Sequence, residues 1–467
     1  MALAALLRPL AALWVALGLM AALIALIAPL LDETHFVALF AVSAALGVVP
    51  GALVLAATRG MPVGASALDA LGLGLMAWIT IPLLAAIPFF LTGYFNPVDS
   101  LFEAYSAVTT TGAILLPPED LPKTLVLWRA ILSWMGGYAT VLLAIAVFAA
   151  LSTDVPTIRQ STLLTRTRDD VFSNLGRAAS RIGLVYTVLT AIVWMALVVA
   201  GNPAFTAMVL AFGSVSTGGY APLSGGLDTY LGPVSIIIVM TGCLIGAVNI
   251  SLFWDALRDR KISLDPDLIG LGILVIVLAG FFILASPDDL FQDVARSVFV
   301  VTTAGYAYGT AEMPVLVAAI FMAMIGGAAG STTGGIKISR IMLLWRRMDV
   351  ELATLADPSV VQPMRFRDRP TPDRSLIAIW SYVLAFLLAL GIGTILLTLA
   401  GLDFEHGFIA MAAALANIGP LYQEAAIGWG WQGMSDGAKL VLIPAMILGR
   451  LEVVAALAAV WAFFIRV

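Results

Sequence analysis

Ten long apolar stretches recur along the whole chain, and they constrain its fold more than any other feature. Each approaches or exceeds the roughly 20 residues that an α-helix needs to cross a bilayer. A bilayer offers the backbone no water, so these segments are expected to be helices, which satisfy their own hydrogen bonds. Hydrophobic residues make up 61% of the chain and charged ones 11%, too few charges to cover a water-soluble surface. The predicted spans are 10–31, 36–57, 69–93, 125–152, 178–200, 231–256, 266–285, 314–346, 374–400 and 436–465.

Basic residues cluster in alternate connections between these spans. The positive-inside rule places those connections, and both termini, in the cytoplasm. The first span is not read as a cleaved signal peptide, because its apolar run is long and another follows almost at once. On the opposite face acidic residues outnumber basic ones. That excess either concentrates cations at a pore mouth or merely follows from topology. The basic cluster residues are Arg159, Arg166, Arg168, Arg258, Arg260, Lys261, Arg340, Arg346, Arg347, Arg365, Arg367, Arg369 and Arg374.

Four connections on the predicted outer side share one pattern. A span ends, a short apolar stretch follows, and a segment rich in Thr, Ser and Gly precedes the next span. The apolar stretch is too short to cross the bilayer and is typical of a re-entrant helix. Repetition at such a period builds pseudo-symmetric assemblies, so four copies around one axis predict a pore. The four segments are 109–112, 216–219, 302–305 and 416–419.

The composition of these segments suits a cation filter. A ring of backbone carbonyl oxygens can replace the hydration shell of an ion, and glycine tolerates the backbone conformations that this requires. Gly112, Gly219, Gly305 and Gly419 are therefore expected to form one ring. The predicted filter residues are Thr110, Thr111, Gly112, Thr217, Gly218, Gly219, Thr303, Ala304, Gly305, Asn417, Ile418 and Gly419.

The four segments resemble the pore loops of the Trk/Ktr/HKT superfamily of K+ and Na+ transporters. The resemblance runs from about residue 60 to the C-terminus, and the two spans before the first repeat are similar to the TrkH type. Glycine at the key position of all four loops implies K+, with ligands at Thr111, Thr217, Thr303 and Asn417. The ANIG segment of the fourth loop departs from the Thr-rich pattern, as is usual in the superfamily. The resemblance is carried by TTTGA at 109–113, STGGY at 216–220, TTAGY at 302–306, NIGP at 417–420, WRAILSWMGG at 128–137 and GRLE at 449–452.

The expected fold is an all-α membrane protein. Four pseudo-symmetric helix–pore-loop–helix repeats surround a central pore, and two extra transmembrane helices precede them. The predicted divisions are an N-terminal two-helix extension at 1–60, repeat 1 at 61–155, a cytoplasmic linker with repeat 2 at 156–262, repeat 3 with a gating loop at 263–350, and a cytoplasmic linker with repeat 4 at 351–467.

The eighth span contains five glycines within ten residues, at 326–335. Each costs about 1 kcal/mol relative to Ala in a helix, so the stretch is predicted to unwind; close helix packing through small residues is the alternative. The resemblance implies that this loop crosses the pore below the filter and gates it, with Arg450 of the last span beside it. The predicted gate residues are Gly326, Gly327, Gly330, Ser331, Thr332, Thr333, Gly334, Gly335, Lys337 and Arg450.

Two hypotheses remain open for Arg450. Its charge can oppose cation passage, which is the preferred account, or its guanidinium can hold the gating loop by hydrogen bonds. Lys337 either belongs to the gate or extends to the cytoplasmic interface.

These features predict K+ uptake through a channel-like filter; a Na+-permeable or ion-coupled secondary cation transporter is the alternative. An enzyme is disfavoured, because the pairs at 169–170 and 288–289 lack a second acidic motif, and Cys243, His35 and His406 lack metal-ligand spacing. No nucleotide-binding fingerprint occurs, so neither an organic cofactor nor a nucleic-acid partner is expected. The resemblance implies a homodimer among the lipids of the bacterial inner membrane. It also implies regulation by a cytoplasmic TrkA-type subunit that binds NAD or ATP.

Overall fold

The structure is a computed structural model and describes residues 3–61, 67–151, 171–259, 265–285, 289–309, 313, 315–359, 364–367, 369–371, 373–425 and 430–451. Within these residues seven helices are long and apolar enough to cross a membrane, and the protein is a multi-pass membrane protein. The strands among these residues form one two-stranded antiparallel hairpin. The predicted all-α fold is confirmed.

The helices follow one another in the order that the repeats predict. Their bounds are α1 Leu3–Ile27, α2 Val37–Ala57, α3 Ala67–Leu91, α4 Pro97–Val108, α5 Lys123–Leu151, α6 Val171–Val199, α7 Ala204–Val215, α8 Pro233–Ala247, α9 Ser251–Asp259, α10 Pro266–Ala285, α11 Leu290–Val301, α12 Leu316–Ile325, α13 Ile338–Ala356, α14 Asp373–Leu399, α15 Phe404–Leu415, α16 Gly419–Ala425 and α17 Asp436–Leu451. The hairpin strands are β1 Arg365–Phe366 and β2 Arg369–Pro370.

Four half-length helices, α4, α7, α11 and α15, each contain 12 residues. Each follows a longer apolar helix of its repeat. Three begin at a side-chain cap, which satisfies one of the free amides at a helix start. Asn96 accepts from the Asp99 amide at 2.8 Å, Asp289 from Phe291 at 2.9 Å, and Asp403 from His406 at 2.9 Å. These caps fix where α4, α11 and α15 begin.

The N-terminal pair packs through small residues. A Cβ atom added to Gly18 of α1 would lie 2.7 Å from the carbonyl oxygen of Ala44 in α2, and one added to Gly51 would lie 2.8 Å from that of Ala11. The absence of side chains at these positions lets the two backbones approach closely, as in other membrane helix pairs.

The sixth predicted span is wrong as one continuous helix. It breaks between α8 and α9, where Val248 is extended at φ −93° and ψ 153°. The Asn249 side chain accepts a hydrogen bond from the Ser251 amide at 2.9 Å, which starts α9 afresh. The carbonyl groups of Gly246 and Ala247 instead accept from Thr332 and Ala328 of the Gly-rich loop, each at 2.9 Å. The Gly-rich loop therefore packs against the break between α8 and α9.

The Gly-rich stretch of the eighth span is irregular, as its composition predicts. Helix α12 ends at Ile325 and α13 begins at Ile338. Gly326, Gly330 and Gly335 adopt φ of 70°, 76° and 78°, a region that L side chains avoid. Residues 326–337 are the segment for which a gating role is predicted, and the name gating loop below refers to that prediction.

Candidate functional site

Each of the four half-length helices ends in a similar backbone turn, with the closing hydrogen bond shifted by one residue in the third repeat. In three repeats the backbone amide three residues after the end of the helix donates to the carbonyl five residues before that amide, as in a Schellman motif. These hydrogen bonds run from Thr111 to Ser106 at 2.8 Å, from Gly218 to Gly213 at 2.9 Å and from Ile418 to Ala413 at 2.8 Å. In the third repeat Gly305 donates to Phe299 at 2.8 Å instead. The turn places a residue with a side chain in the left-handed region in every repeat. These residues are Thr110, Thr217, Thr303 and Asn417, at φ 50°, 53°, 56° and 51°.

A β-branched residue in the left-handed region is a true outlier, and such strain collects at functional sites. Three threonines here share it. The left-handed residue of the first repeat is Thr110, so Thr110 rather than Thr111 corresponds to Thr217, Thr303 and Asn417. In the predicted ligand set, Thr111 lies one residue after the position that Thr217, Thr303 and Asn417 occupy. The same correspondence follows from the sequence when the four segments are aligned on their key glycines, since each left-handed residue lies two positions before its glycine.

The structure brings the four predicted filter segments together. A Cβ atom added to each key glycine would collide with the next repeat in chain order, and the fourth collision returns to the first repeat. The four repeats therefore form a closed ring. The added Cβ atom would lie 2.2 Å from the Gly218 oxygen at Gly112, 2.0 Å from the Ala304 oxygen at Gly219, 2.9 Å from Ile418 Cγ1 at Gly305 and 2.4 Å from the Ala113 nitrogen at Gly419.

The fourth loop departs from the other three. Gly112, Gly219 and Gly305 adopt φ of 75°, 68° and 65°, whereas Gly419 lies outside the left-handed region and begins α16. The Gly419 amide donates to the Thr111 carbonyl oxygen at 2.5 Å. One carbonyl of the first filter segment is thus hydrogen bonded to the fourth.

Pro420 lies over the centre of the ring. Cβ atoms added to Gly112, Gly219 and Gly305 would lie 3.3, 3.1 and 3.3 Å from atoms of the Pro420 ring. Gly219 belongs to the repeat opposite the fourth, so the proline reaches across the axis. The sequence reasoning did not identify this position, because nothing in the NIGP segment shows where its proline would lie.

A buried ion pair supports the first filter segment. Arg129 donates from Nε to Glu103 Oε2 at 2.8 Å and from Nη2 to Oε1 at 2.7 Å. Glu103 also accepts from the Leu115 amide at 2.6 Å, and Arg129 donates to the Leu116 carbonyl at 3.0 Å. The pair fixes the chain just after Gly112. Sequence reasoning missed it, although an Arg and a Glu within apolar segments of one repeat were a usable signal.

The gating loop lies against the inner side of the ring. Thr332 Oγ1 is 3.2 Å from Thr217 Oγ1, and the Gly334 amide donates to Thr303 Oγ1 at 3.0 Å. A Cβ atom on Gly334 would lie 1.9 Å from the Ala416 oxygen. The loop therefore contacts the second, third and fourth repeats. Lys337 does not extend away from it, because its ammonium donates to Thr333 Oγ1 at 3.0 Å and to the Thr333 carbonyl.

Arg450 joins the gating loop to the first repeat. Its Nε donates to the Thr109 carbonyl at 2.5 Å, and its other nitrogens donate to the Thr332 carbonyl and Thr110 Oγ1. The residue is 8% exposed. Its sequence neighbour Glu452 lies outside the described residues. The planar guanidinium thus bridges a filter segment and the loop below it.

A line of polar contacts connects the gating loop to the β1–β2 hairpin. The Ala329 carbonyl accepts from Asn249 Nδ2 at 2.9 Å, and its amide donates to Asp267 Oδ2 at 3.2 Å. Arg367, between the two strands, pairs with Asp267 at 3.2 Å and with Asp265 at 2.7 Å. Arg367 itself has φ 52°. Arg367 of the hairpin is therefore in direct contact with Asp267, which accepts a hydrogen bond from the gating loop.

Known proteins share this architecture. The sequence profile of TrkH, described as a cation transport protein, matches residues 75–285 and 288–462. The Trk system potassium uptake protein TrkH of Salmonella typhimurium is 29% identical over 80% of this chain and 81% of its own. The potassium uptake protein TrkI of Halomonas elongata is 29% identical over 99% and 97%. The crystal structure of the potassium transporter TrkH from Vibrio parahaemolyticus has a TM-score of 0.87, with 25% identity over 98% of both chains.

Proposed function

The chain belongs to the TrkH family of cation transport proteins, and from this premise we propose that it takes up K+ through the ring of four pore loops. It is a membrane transport protein and not an enzyme. The observation that supports the proposal best is the closed cycle of glycine contacts, in which each repeat meets the next. The relatives at 29% identity carry the name of potassium uptake proteins.

Selectivity on this proposal comes from the backbone. Carbonyl oxygens of the filter segments replace the water of the ion, and the left-handed residues and glycines hold those segments in place. Glycine permits the close approach between repeats, since any side chain at Gly112 or Gly219 would collide with a neighbouring carbonyl oxygen. We include Thr110 with Thr111, Thr217, Thr303 and Asn417 among the proposed K+ ligands, because Thr110 shares the left-handed backbone conformation of Thr217, Thr303 and Asn417.

The gating loop closes the inner side of the ring on this proposal, and Arg450 and Lys337 hold it there. Its hydrogen bonds to Thr217 and Thr303 reach side chains of the filter segments from below.

Deleting residues 327–334 is expected to raise K+ uptake at least about tenfold, which corresponds to lowering the barrier by about 1.4 kcal/mol. The preference for K+ over Na+ is expected to stay unchanged. Isotope uptake into vesicles, at equal amounts of folded protein, measures both quantities. A folded deletion variant with unchanged or slower uptake contradicts the gate.

We infer that the cytoplasmic face of a homodimer in the bacterial inner membrane receives a TrkA-type nucleotide-binding subunit, with both termini on that face. The path from Arg367 through Asp267 to Ala329 supports regulation from this side. A partner that moves the hairpin would act on the gating loop through the Asp267 carboxylate, which contacts both Arg367 and the Ala329 amide.

A further inference from the structure

A cavity of about 350 Å³ lies on the predicted outer side of the ring. Gly112, Gly219 and Gly305 line it, and so does Pro420. Because these glycines come from three different repeats, the cavity is centred on the ring, and an ion approaching from outside must cross it. Pro420 lies where the cavity meets the centre of the ring.

The charge of this cavity is carried by two of its described lining residues, Arg129 and Glu424. Arg129 is matched by Glu103, which accepts two of its hydrogen bonds. Glu424 Oε1 is buried and has no hydrogen-bond partner among the described residues. A buried polar oxygen left without a partner is unfavourable, and a cation bound by the same carboxylate would offset its charge.

Burial raises the pKa of the Glu424 carboxyl to about 8, and the nearby Arg296 of α11 opposes this rise. A cation bound beside the carboxyl would favour its ionised form further. Arg296 reduces the attraction of the carboxylate for an ion, but its Nε donates to the Tyr308 carbonyl at 2.7 Å. Within the part of the chain that the structure describes, no donor reaches Glu424 Oε1. Glu424 is half-buried and lines the cavity, so its carboxylate is placed to bind a cation there.

We propose that this cavity is a second monovalent-cation site, distinct from the ring, with Glu424 as its anionic ligand. The inference rests on the proposed transport of K+. An incoming ion is captured here above Pro420, which belongs to the same helix, α16. The ion enters the ring when α16 moves and carries the proline off the axis.

The test is Rb+ uptake into proteoliposomes as a function of external Rb+ concentration. In Glu424→Gln, which keeps the shape and removes the charge, the half-saturating concentration is expected to rise about tenfold, about 1.4 kcal/mol. The maximal rate is expected to change little, because the ring is intact. Glu405→Gln is the matched control, since Glu405 is an exposed carboxylate on α15 of the same repeat and does not line the cavity.

The outcomes separate this site from transport itself. A wild-type protein without uptake contradicts the proposed function, whereas normal wild-type uptake with an unchanged half-saturating concentration in Glu424→Gln contradicts only this site. An equal shift in Glu405→Gln assigns the effect to general surface charge and overturns the proposal. A Glu424→Gln protein that does not fold makes the carboxylate structural and overturns it too.

Pro420→Ala tests the second half of the inference. Removing the ring atoms that reach toward Gly219 is expected to raise the maximal rate and leave the half-saturating concentration unchanged. An unchanged maximal rate contradicts the closure of the ring by Pro420.

Discussion

Replacing Gly112 by Ser is expected to reduce the preference for K+ over Na+ at least about tenfold, about 1.4 kcal/mol of discrimination. A Cβ atom at this position would lie 2.2 Å from the Gly218 carbonyl oxygen, which is far inside contact distance. The first filter segment or its neighbour must therefore move, and the spacing of the carbonyl oxygens around the ring must change with it. Competition of unlabelled K+ and Na+ against Rb+ uptake measures the preference.

Gly93→Ser is the matched control. Gly93 has φ 78°, close to the 75° of Gly112, but no described heavy atom lies within 4 Å of its added Cβ. Both variants bear the cost of a side chain in the left-handed region, roughly 1–2 kcal/mol, and only Gly112→Ser meets a neighbouring repeat. Gly93→Ser is therefore expected to keep wild-type preference. If Gly112→Ser kept it as well, Gly112 would not belong to the selectivity filter.

Both Arg450→Gln and Arg450→Lys are expected to transport K+ faster than the wild type, by about tenfold for about 1.4 kcal/mol of lost barrier. The Arg450 guanidinium donates simultaneously to Thr109 in the first repeat and to Thr332 in the gating loop. Lys keeps the charge but cannot reproduce this planar fork of donors. Both substitutions therefore release the loop. Initial rates of Rb+ uptake, normalised to folded protein, measure the effect.

The sequence favoured a different account, in which the charge of Arg450 itself opposes cation passage. That account expects Arg450→Lys to match the wild type and only Arg450→Gln to be faster. The hydrogen bonds from Arg450 to Thr109 and Thr332 favour the other account, in which Arg450 acts as a tether that holds the gating loop. Arg59→Gln, which removes an exposed charge at the end of α2, is expected to leave the rate unchanged. Equal rates in the wild type and both Arg450 variants would contradict the tether and the charge barrier together.

Local signals in the sequence were sufficient for most of the architecture. Apolar length predicted the spans, and a short apolar run before a Gly-bearing segment predicted each of α4, α7, α11 and α15. Five glycines in ten residues predicted the irregular gating loop, because glycine disfavours a helix wherever it lies in a structure. These features depend on residues within one short window of the chain.

Features that depend on contacts between repeats were not accessible from sequence. Asn249 ends a helix inside an apolar run because its side chain holds Ala329, 80 residues later. Pro420 reaches Gly219 only once the four repeats have closed into a ring.

Competitive Rb+ uptake by the purified wild-type protein in proteoliposomes tests the central claim most directly. The account predicts saturable Rb+ uptake above that of protein-free liposomes, suppressed by unlabelled K+ at a concentration at least about tenfold lower than that of Na+, a difference of about 1.4 kcal/mol. Uptake equal to that of protein-free liposomes, or equal suppression by K+ and Na+, would contradict selective K+ transport through this ring.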